Sequence, residues 1–228
     1  MSLEPQTEDV FVDLSLPLTS SLSGFPGYPG FEFEQLQSHD QDGKVSHSIS
    51  LTTHTGTHID APAHFVPNGA SIDDIPLERL IGEYRVVDLR SHSGERITAS
   101  MVTDAIGDID VGTRILLVTG DVDRYFDGEN FFDQAAVLTI EAAEWLVNND
   151  VAAVANDFLT EDIRNPDRPV HQALLESETP IVEYLCNTDE IADERTVWLY
   201  CLPLSIPGVE AAPARVIATN RPVFETWN

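Results

Sequence analysis

Three of the seven histidines in this chain of 228 residues lie within a short segment that also carries an aspartate. The segment reads HTGTHIDAPAHF over residues 54–65 and contains His54, His58, Asp60 and His64. Neutral imidazole nitrogens and a carboxylate oxygen are donors suited to Zn²⁺, Mn²⁺ or Fe²⁺ at a catalytic site, whereas structural zinc sites usually include cysteine sulfur. A single histidine is commonly a hydrogen-bonded core residue, but the cluster favours a metal site.

The spacing of these residues constrains their geometry. His54, Gly56, His58 and Asp60 fall on even positions, so an extended chain projects them to one side. The β-branched residues of the segment and the turn signal at Pro62 argue against a helix. Because extended residues four apart stand about 13 Å apart, a shared ion requires a bend, which costs least at glycine. Gly56 is therefore the expected bend, and its missing side chain should leave space over the ion.

Two further candidate donors lie in distant parts of the chain. His171 opens an apolar helix, HQALL. Glu183 lies at the centre of the apolar segment IVEYL, where an unpaired carboxylate would be costly to bury. Its partner is expected to be either an arginine or a metal ion. The remaining histidines lie in polar contexts and are predicted to be solvent-exposed, namely His39, His47 and His92.

Alternation and β-branched residues predict the elements that must hold these groups. Strands are predicted at 45–53, 84–89, 114–118, 151–155, 181–185, 196–204 and 214–219. Helices are predicted at 76–81, 99–106, 139–148 and 169–177, with Thr139 as a helix N-cap. The pattern predicts one α/β domain with a largely β core over residues 1–228, with residues 1–9 as a flexible tail. Residues 17–30 are rich in Pro, Gly and Ser, and this loop either lines a pocket with its aromatics or is a surface linker.

Composition excludes several classes of partner. The chain has 39 acidic and 12 basic residues and a formal net charge of −27. Nucleic acids and anionic membranes are poor partners for such a surface, because both require cations to neutralise phosphates. Scattered acids with a single lysine predict a halophilic protein that salt stabilises, the alternative being an unusually acidic mesophilic protein.

Localisation is predicted from the N-terminus and the cysteines. The first residues lack the basic and apolar regions of a signal peptide, so a cytoplasmic protein is expected. Cys186 and Cys201 lie in apolar surroundings. They are interpreted as reduced core residues rather than as a disulfide or thiolate metal ligands.

The motif H-x-G-T-H-x-D-x-P-x-H-F at 54–65 resembles the signature of the metal-dependent cyclase family, which includes bacterial kynurenine formamidase (arylformamidase) and isatin hydrolase. The resemblance continues in VDLSLP at 12–17, in FPG at 25–27, in HQALL at 171–175 and in LPLSIPG at 202–208. It implies a swivelling β/β/α fold, a small-molecule substrate and a homodimer or homotetramer.

Position by position, the resemblance implies two ion sites that share one ligand. One ion would be held by His54, His58 and Asp60, and a second by Asp60, His171 and Glu183. The expected cofactor is thus one or two Zn²⁺ or Mn²⁺ ions per subunit.

The resemblance also leaves one histidine for catalysis and one aromatic for the substrate. His64 would remain free as the general acid and base. Phe25 occupies the position of a tryptophan that stacks on the substrate in arylformamidases. Phe25 and Tyr28 depart from the Trp-Pro-Gly-Asp pattern, so the resemblance does not extend to a particular substrate.

The resulting prediction is a metal-dependent hydrolase of an amide, formamide, lactam or lactone. Two alternatives remain at this stage. A cyclase or dehydratase would use the same ions and base to remove a proton next to a carbonyl. A catalytically silent metal-binding module would have no use for the free base at His64.

Overall fold

The computed structural model describes residues 10–22, 25–126 and 130–223, so the predicted tail at 1–9 lies outside the described residues. The strands are β1 (Phe11–Asp13), β2 (Glu32–Gln37), β3 (Ser46–Ser50), β4 (His58–Asp60), β5 (Ile81–Asp88), β6 (Arg96–Ile97), β7 (Arg114–Val118), β8 (Val137–Leu138), β9 (Ala153–Asn156), β10 (Ile181–Glu183), β11 (Thr196–Pro203) and β12 (Ala211–Thr219). The helices are α1 (His39–Asp42), α2 (Leu77–Leu80), α3 (Ala99–Ile106), α4 (Asp121–Tyr125), α5 (Phe131–Gln134), α6 (Ile140–Asn148) and α7 (Pro169–Glu176).

The main sheet has eight strands in the order β1-β12-β11-β5-β7-β9-β10-β4. Strand β4 also pairs with β12, which closes every strand of this sheet except β1 into a barrel-like ring. Strands β5, β7, β9 and β10 run parallel to one another, and β4 is antiparallel to both of its neighbours. The short strand β4 is therefore the seam of the barrel.

Alternating residues of the strands build two cores. Leu116 and Val118 of β7 face the barrel interior, while Ile115 and Leu117 of the same strand pack outward among residues of the helices. Helices α3, α6 and α7 contribute to this outer core through residues such as Val102, Leu146 and Leu174. Both faces of the parallel strands are thus buried, as expected for a sheet that helices cover.

Much of the predicted secondary structure is confirmed, as is the α/β class with a largely β core. Strand 114–118 and helix 99–106 have the predicted bounds, and Thr139 caps α6 by accepting from Ala142 N. Strands β1 and β2 were not predicted, because only Val12 of β1 is buried and β2 is exposed along most of its length. Cys186 and Cys201 are buried and free, as interpreted from the sequence.

Strands β2 and β3 form a separate two-stranded sheet whose side chains are mostly exposed. Phe33 pairs with Ile49 across the hairpin, and the two are 55% and 62% exposed. An isolated hairpin of this kind is only marginally stable in water. Across the described ranges, no helix is long and apolar enough to cross a membrane.

Candidate metal centre and catalytic cleft

Strand β4 places two of the predicted donors on the outer face of the barrel. His58 lies opposite Glu183 and Asp60 opposite Ile181 in the antiparallel register with β10. Ile59, between them, packs into the barrel interior. His58 and Asp60 therefore project together to the opposite face, as the even-numbered spacing predicted.

Gly56 provides the bend that brings His54 back to this face. Its backbone has a φ of +64°, in the left-handed region that favours glycine. His54 Nδ1 consequently lies 3.0 Å from Asp60 Oδ1. The prediction that Gly56 leaves open space over the ion is wrong, because a Cβ at position 56 would lie 2.8 Å from Leu18 Cδ2 and 3.5 Å from Leu22. The missing side chain instead lets the N-terminal loop pack closely.

Helix α7 and strand β10 bring the two distant donors to the same face. His171 Nε2 lies 3.5 Å from Glu183 Oε1 and 3.9 Å from Asp60 Oδ2. Glu183 Oε2 lies 3.3 Å from His58 Nε2, so histidines rather than an arginine face this carboxylate. Ligand-type atoms thus form two groups, His54 with His58 and Asp60, and Asp60 with His171 and Glu183. These two groups contain the same residues as the two candidate ligand sets that the resemblance to the cyclase family implied.

The donor atoms at the centre of the site have no hydrogen-bond partner. His58 Nε2 and both carboxylate oxygens of Asp60 are buried without one. The 3.0 Å contact between His54 and Asp60 lacks hydrogen-bond geometry. Buried polar groups are nearly always satisfied, so atoms that converge without bonding one another fit ligands arranged around a cation. The residues present therefore fit one or two divalent ions.

The carboxylates give the site a strongly negative potential. Burial lowers the pKa of His58, but Asp60 and Glu183 outweigh it and raise this pKa to about 10. Burial likewise lowers the pKa of His171, which Glu161 and Glu183 raise to about 9. Burial raises the pKa of Glu183, but His171 and His58 bring it down to about 2. A site that favours extra positive charge in this way is suited to a metal cation.

A buried carboxylate that the sequence analysis missed orients His171. Glu161 Oε2 lies 2.9 Å from His171 Nδ1, which leaves Nε2 facing Asp60 and Glu183. Glu161 also accepts the backbone N–H of Val170 in the first turn of α7. Metal-binding histidines commonly donate a hydrogen bond from their second ring N–H to such a carboxylate. Nothing in the local sequence distinguishes Glu161 from the many other acidic residues.

The other two histidine donors are held in similar ways. His58 Nδ1 lies 2.8 Å from Gly56 O, which directs Nε2 toward Asp60 and Glu183. His54 Nε2 lies 3.3 Å from Glu210 Oε1, a second carboxylate that the sequence analysis missed. Each of the three rings therefore has one nitrogen facing an acceptor outside the donor group and one facing the donors.

His64 lies beside the donors without belonging to either group. It ends a 3-10 turn, Pro62–His64, and its ring centroid lies 4.3 Å from that of His54 and 6.2 Å from that of His171. Burial lowers the pKa of His64, and His54 and His171 lower it further against the opposing effect of Asp60. A neutral imidazole in this position is able to accept a proton near pH 7.

The donors lie in a cleft of about 700 Å³, open solvent at its mouth included. Phe25 and Tyr28 line the cleft, so the aromatics of the Pro- and Gly-rich segment line a pocket, which was one of the two interpretations of that segment. Their rings make an edge contact with centroids 5.8 Å apart. Further lining comes from Phe65, Leu159, Ile163, Arg168 and Tyr184.

The family model named Cyclase matches residues 12–163 of the chain. This span includes the motif that carries His54, His58, Asp60 and His64. The chain belongs to the Cyclase family.

Named members and solved structures agree with this placement. Kynurenine formamidase of Salinibacter ruber is 28% identical over 216 residues, covering 92% of this chain and 98% of that protein. A solved structure described as a potential metal-dependent hydrolase with cyclase activity has a TM-score of 0.79 at 27% identity, covering 94% of this chain and 99% of that one. Isatin hydrolase A from Labrenzia aggregata has a TM-score of 0.78 at 25% identity, covering 92% and 93%. The predicted cyclase-like fold is confirmed.

Proposed function

We propose that this member of the Cyclase family is a metal-dependent hydrolase of a C–N bond outside peptides, in a formamide, an amide or a cyclic amide. The relatives named kynurenine formamidase and isatin hydrolase support this class of reaction. One observation carries the proposal for this chain. Asp60 is shared by two groups of metal-type donors, and His64 lies next to them without belonging to either.

We propose Zn²⁺ or Mn²⁺ as the cofactor. His54, His58 and Asp60 would hold one ion, and Asp60, His171 and Glu183 a second. When bound, such an ion polarises a substrate carbonyl and lowers the pKa of water to about 7. The aromatic wall at Phe25 and Tyr28 would bind the apolar part of the substrate and limit access of bulk water.

His64 would manage the proton. An imidazole nitrogen of His64 accepts a proton from the attacking water as its oxygen bonds to the carbonyl carbon. The same group then returns the proton to the leaving nitrogen as the C–N bond breaks. A formamide would yield formate and an amine, and a cyclic amide would yield a ring-opened amino acid.

The first prediction tests the reaction and its metal dependence together. We expect purified protein to contain a divalent metal and to release formate from an N-formyl arylamine. Turnover should disappear after exhaustive chelation and return with Zn²⁺ or Mn²⁺, because the ion activates both water and carbonyl. Elemental analysis and a formate assay measure the two quantities. Undiminished turnover by demonstrably metal-free protein would overturn the proposal.

The same experiment separates the alternatives. A cyclase or dehydratase would convert a hydroxy or keto acid without releasing formate or amine. A silent binding module would hold metal but turn over neither N-formyl arylamines, cyclic amides nor lactones. The position of His64 favours an enzyme, because a pure binding site has no need of a neutral base beside its ligands.

We also propose that the chain forms a homodimer or homotetramer through the β2–β3 hairpin. The hairpin exposes Phe33, Leu36 and Ile49, which are 55%, 59% and 62% exposed. Exposed apolar side chains on a marginally stable hairpin are expected to be buried against another protein surface. A second copy of the chain supplies the same apolar face by symmetry.

The second prediction tests this assembly by light scattering. Wild-type protein should have at least twice the 25.1 kDa subunit mass. The double variant Phe33→Glu, Ile49→Glu should be monomeric, since two charges would enter the apolar contact. Val111→Glu, at a side chain 77% exposed elsewhere, serves as the matched control. A monomeric wild type, or an unchanged mass in the double variant, would contradict the assignment.

A further inference from the structure

The wall of the cleft carries one arginine whose role neither the donors nor His64 explain. Arg168 lines the same cleft as Phe25 and Tyr28. Its guanidinium carbon lies 5.8 Å from the centroid of the Phe25 ring, a cation–π arrangement. A positive charge and an aromatic face therefore lie side by side at one wall of the site.

The guanidinium is fixed by backbone carbonyls and not by an acid. Nη2 donates to Ile163 O at 2.9 Å and Nη1 to Asp162 O at 3.4 Å. Among the ion pairs of the described residues, none involves Arg168, whereas nearby Arg164 pairs with Asp162. A guanidinium has five N–H groups, so these two bonds leave three available to a ligand. The chain has a net charge of −27, yet no carboxylate among the described residues pairs with this guanidinium. The guanidinium is therefore able to bind an anionic ligand in the cleft.

The backbone at this position is unusual for its sequence. Arg168 has φ +49° and ψ +48°, in the left-handed region, and it immediately precedes Pro169. A residue before proline is normally extended, and a long side chain rarely adopts positive φ. Strained backbone of this kind is concentrated at functional sites. Here it sets the side chain of Arg168 against the cleft at the start of α7.

We propose that Arg168 binds a carboxylate, or another planar anion, carried by the aromatic or apolar part of the substrate. This rests on the hydrolase activity proposed above and narrows its substrate class to acids. The substrate ring would lie against Phe25 and Tyr28, and its carboxylate would accept from the free N–H groups of Arg168. Planar guanidinium and carboxylate groups match in geometry, and the charge strengthens each hydrogen bond.

The third prediction compares two substrates that differ in one charge, 2-formamidobenzoate and 2-formamidobenzamide. We expect wild-type protein to prefer the acid in kcat/KM. Arg168→Gln should reduce kcat/KM for the acid by about 10- to 100-fold, mostly through KM, and leave the amide nearly unchanged. Arg168→Lys, which keeps the charge, should retain part of the preference. Arg164→Gln, on the same loop but 70% exposed, is the matched control and should behave as wild type.

Binding measurements keep this inference separate from the hydrolase proposal. Calorimetry with 2-aminobenzoate and 2-aminobenzamide should show tighter binding of the acid, a difference that Arg168→Gln removes. If neither formamide and no cyclic amide or other amide is hydrolysed but the acid binds selectively, the hydrolase proposal fails and the assignment of Arg168 stands. If Arg168→Gln lowers kcat/KM equally for acid and amide, or if wild-type protein does not prefer the acid, the assignment fails. Arg168 would then only stabilise the loop that contains it.

Discussion

Asp60→Asn is expected to deplete both proposed ion sites at once. The substitution keeps the size of the side chain but removes the negative charge that faces His54 and His58 through Oδ1 and His171 through Oδ2. Replacing a residue that only orients a metal ligand commonly lowers metal affinity or activity by about 10- to 100-fold. A ligand shared by both groups should therefore cost at least about 100-fold in turnover, with a parallel loss of bound metal.

The control for this variant is Asp121→Asn. Asp121 is equally buried but accepts hydrogen bonds from Ser93, Gly94 and Ala136 outside the donor groups. It should lose stability while retaining metal. Full metal content and full turnover in Asp60→Asn would remove Asp60 from the site. Circular dichroism at low temperature, recorded on the sample used for metal analysis, distinguishes loss of metal by a folded variant from loss of folding.

His64→Ala should give the opposite combination of effects. Because His64 belongs to neither donor group, metal content should stay at the wild-type value. Its proposed role is proton transfer, typically worth a factor of about 10² to 10⁴, so kcat should fall by that order. Elemental analysis and steady-state kinetics on the same preparation measure both quantities.

A second histidine variant calibrates this result. His92→Ala removes a surface imidazole that contacts Glu95, so neither metal nor rate should change. Loss of metal from His64→Ala to the same extent as from His171→Ala would make His64 a ligand and leave the mechanism without its base. An unaltered kcat would exclude His64 from the reaction.

The sequence predicted which candidate donors lie together better than it predicted their surroundings. The spacing of His58 and Asp60 reports strand periodicity directly, and Gly56 marks the bend, so this part of the site was accessible from local pattern. The roles of Glu161 and Glu210 were not predictable in this way. They depend on which acidic residues the fold places next to the second ring nitrogen of a histidine that is distant in sequence. Local sequence contains no measure of that distance.

The fold, like the site, was predicted in its locally patterned parts and not in its long-range ones. Strands of the parallel part of the sheet were predicted because their residues are buried on both faces and strongly apolar. The closure of the barrel was not predicted, because it depends on β4, a strand of three residues. Pairing of so short a segment with β10 and β12 is decided by long-range contacts rather than by β propensity.

That seam also governs how the chain tolerates changes of length. Each residue of β4 is in register with two neighbours at once, with His58 opposite both Glu183 and Pro213. Inserting or deleting one residue would turn His58 and Asp60 into the barrel interior, and a shift of two would separate His58 from Glu183. The exposed tip of the β2–β3 hairpin is under no such restriction. Insertions and deletions are therefore expected to be tolerated at the hairpin tip. Around β4 they are not, because the register with β10 and β12 fixes the length of the chain there.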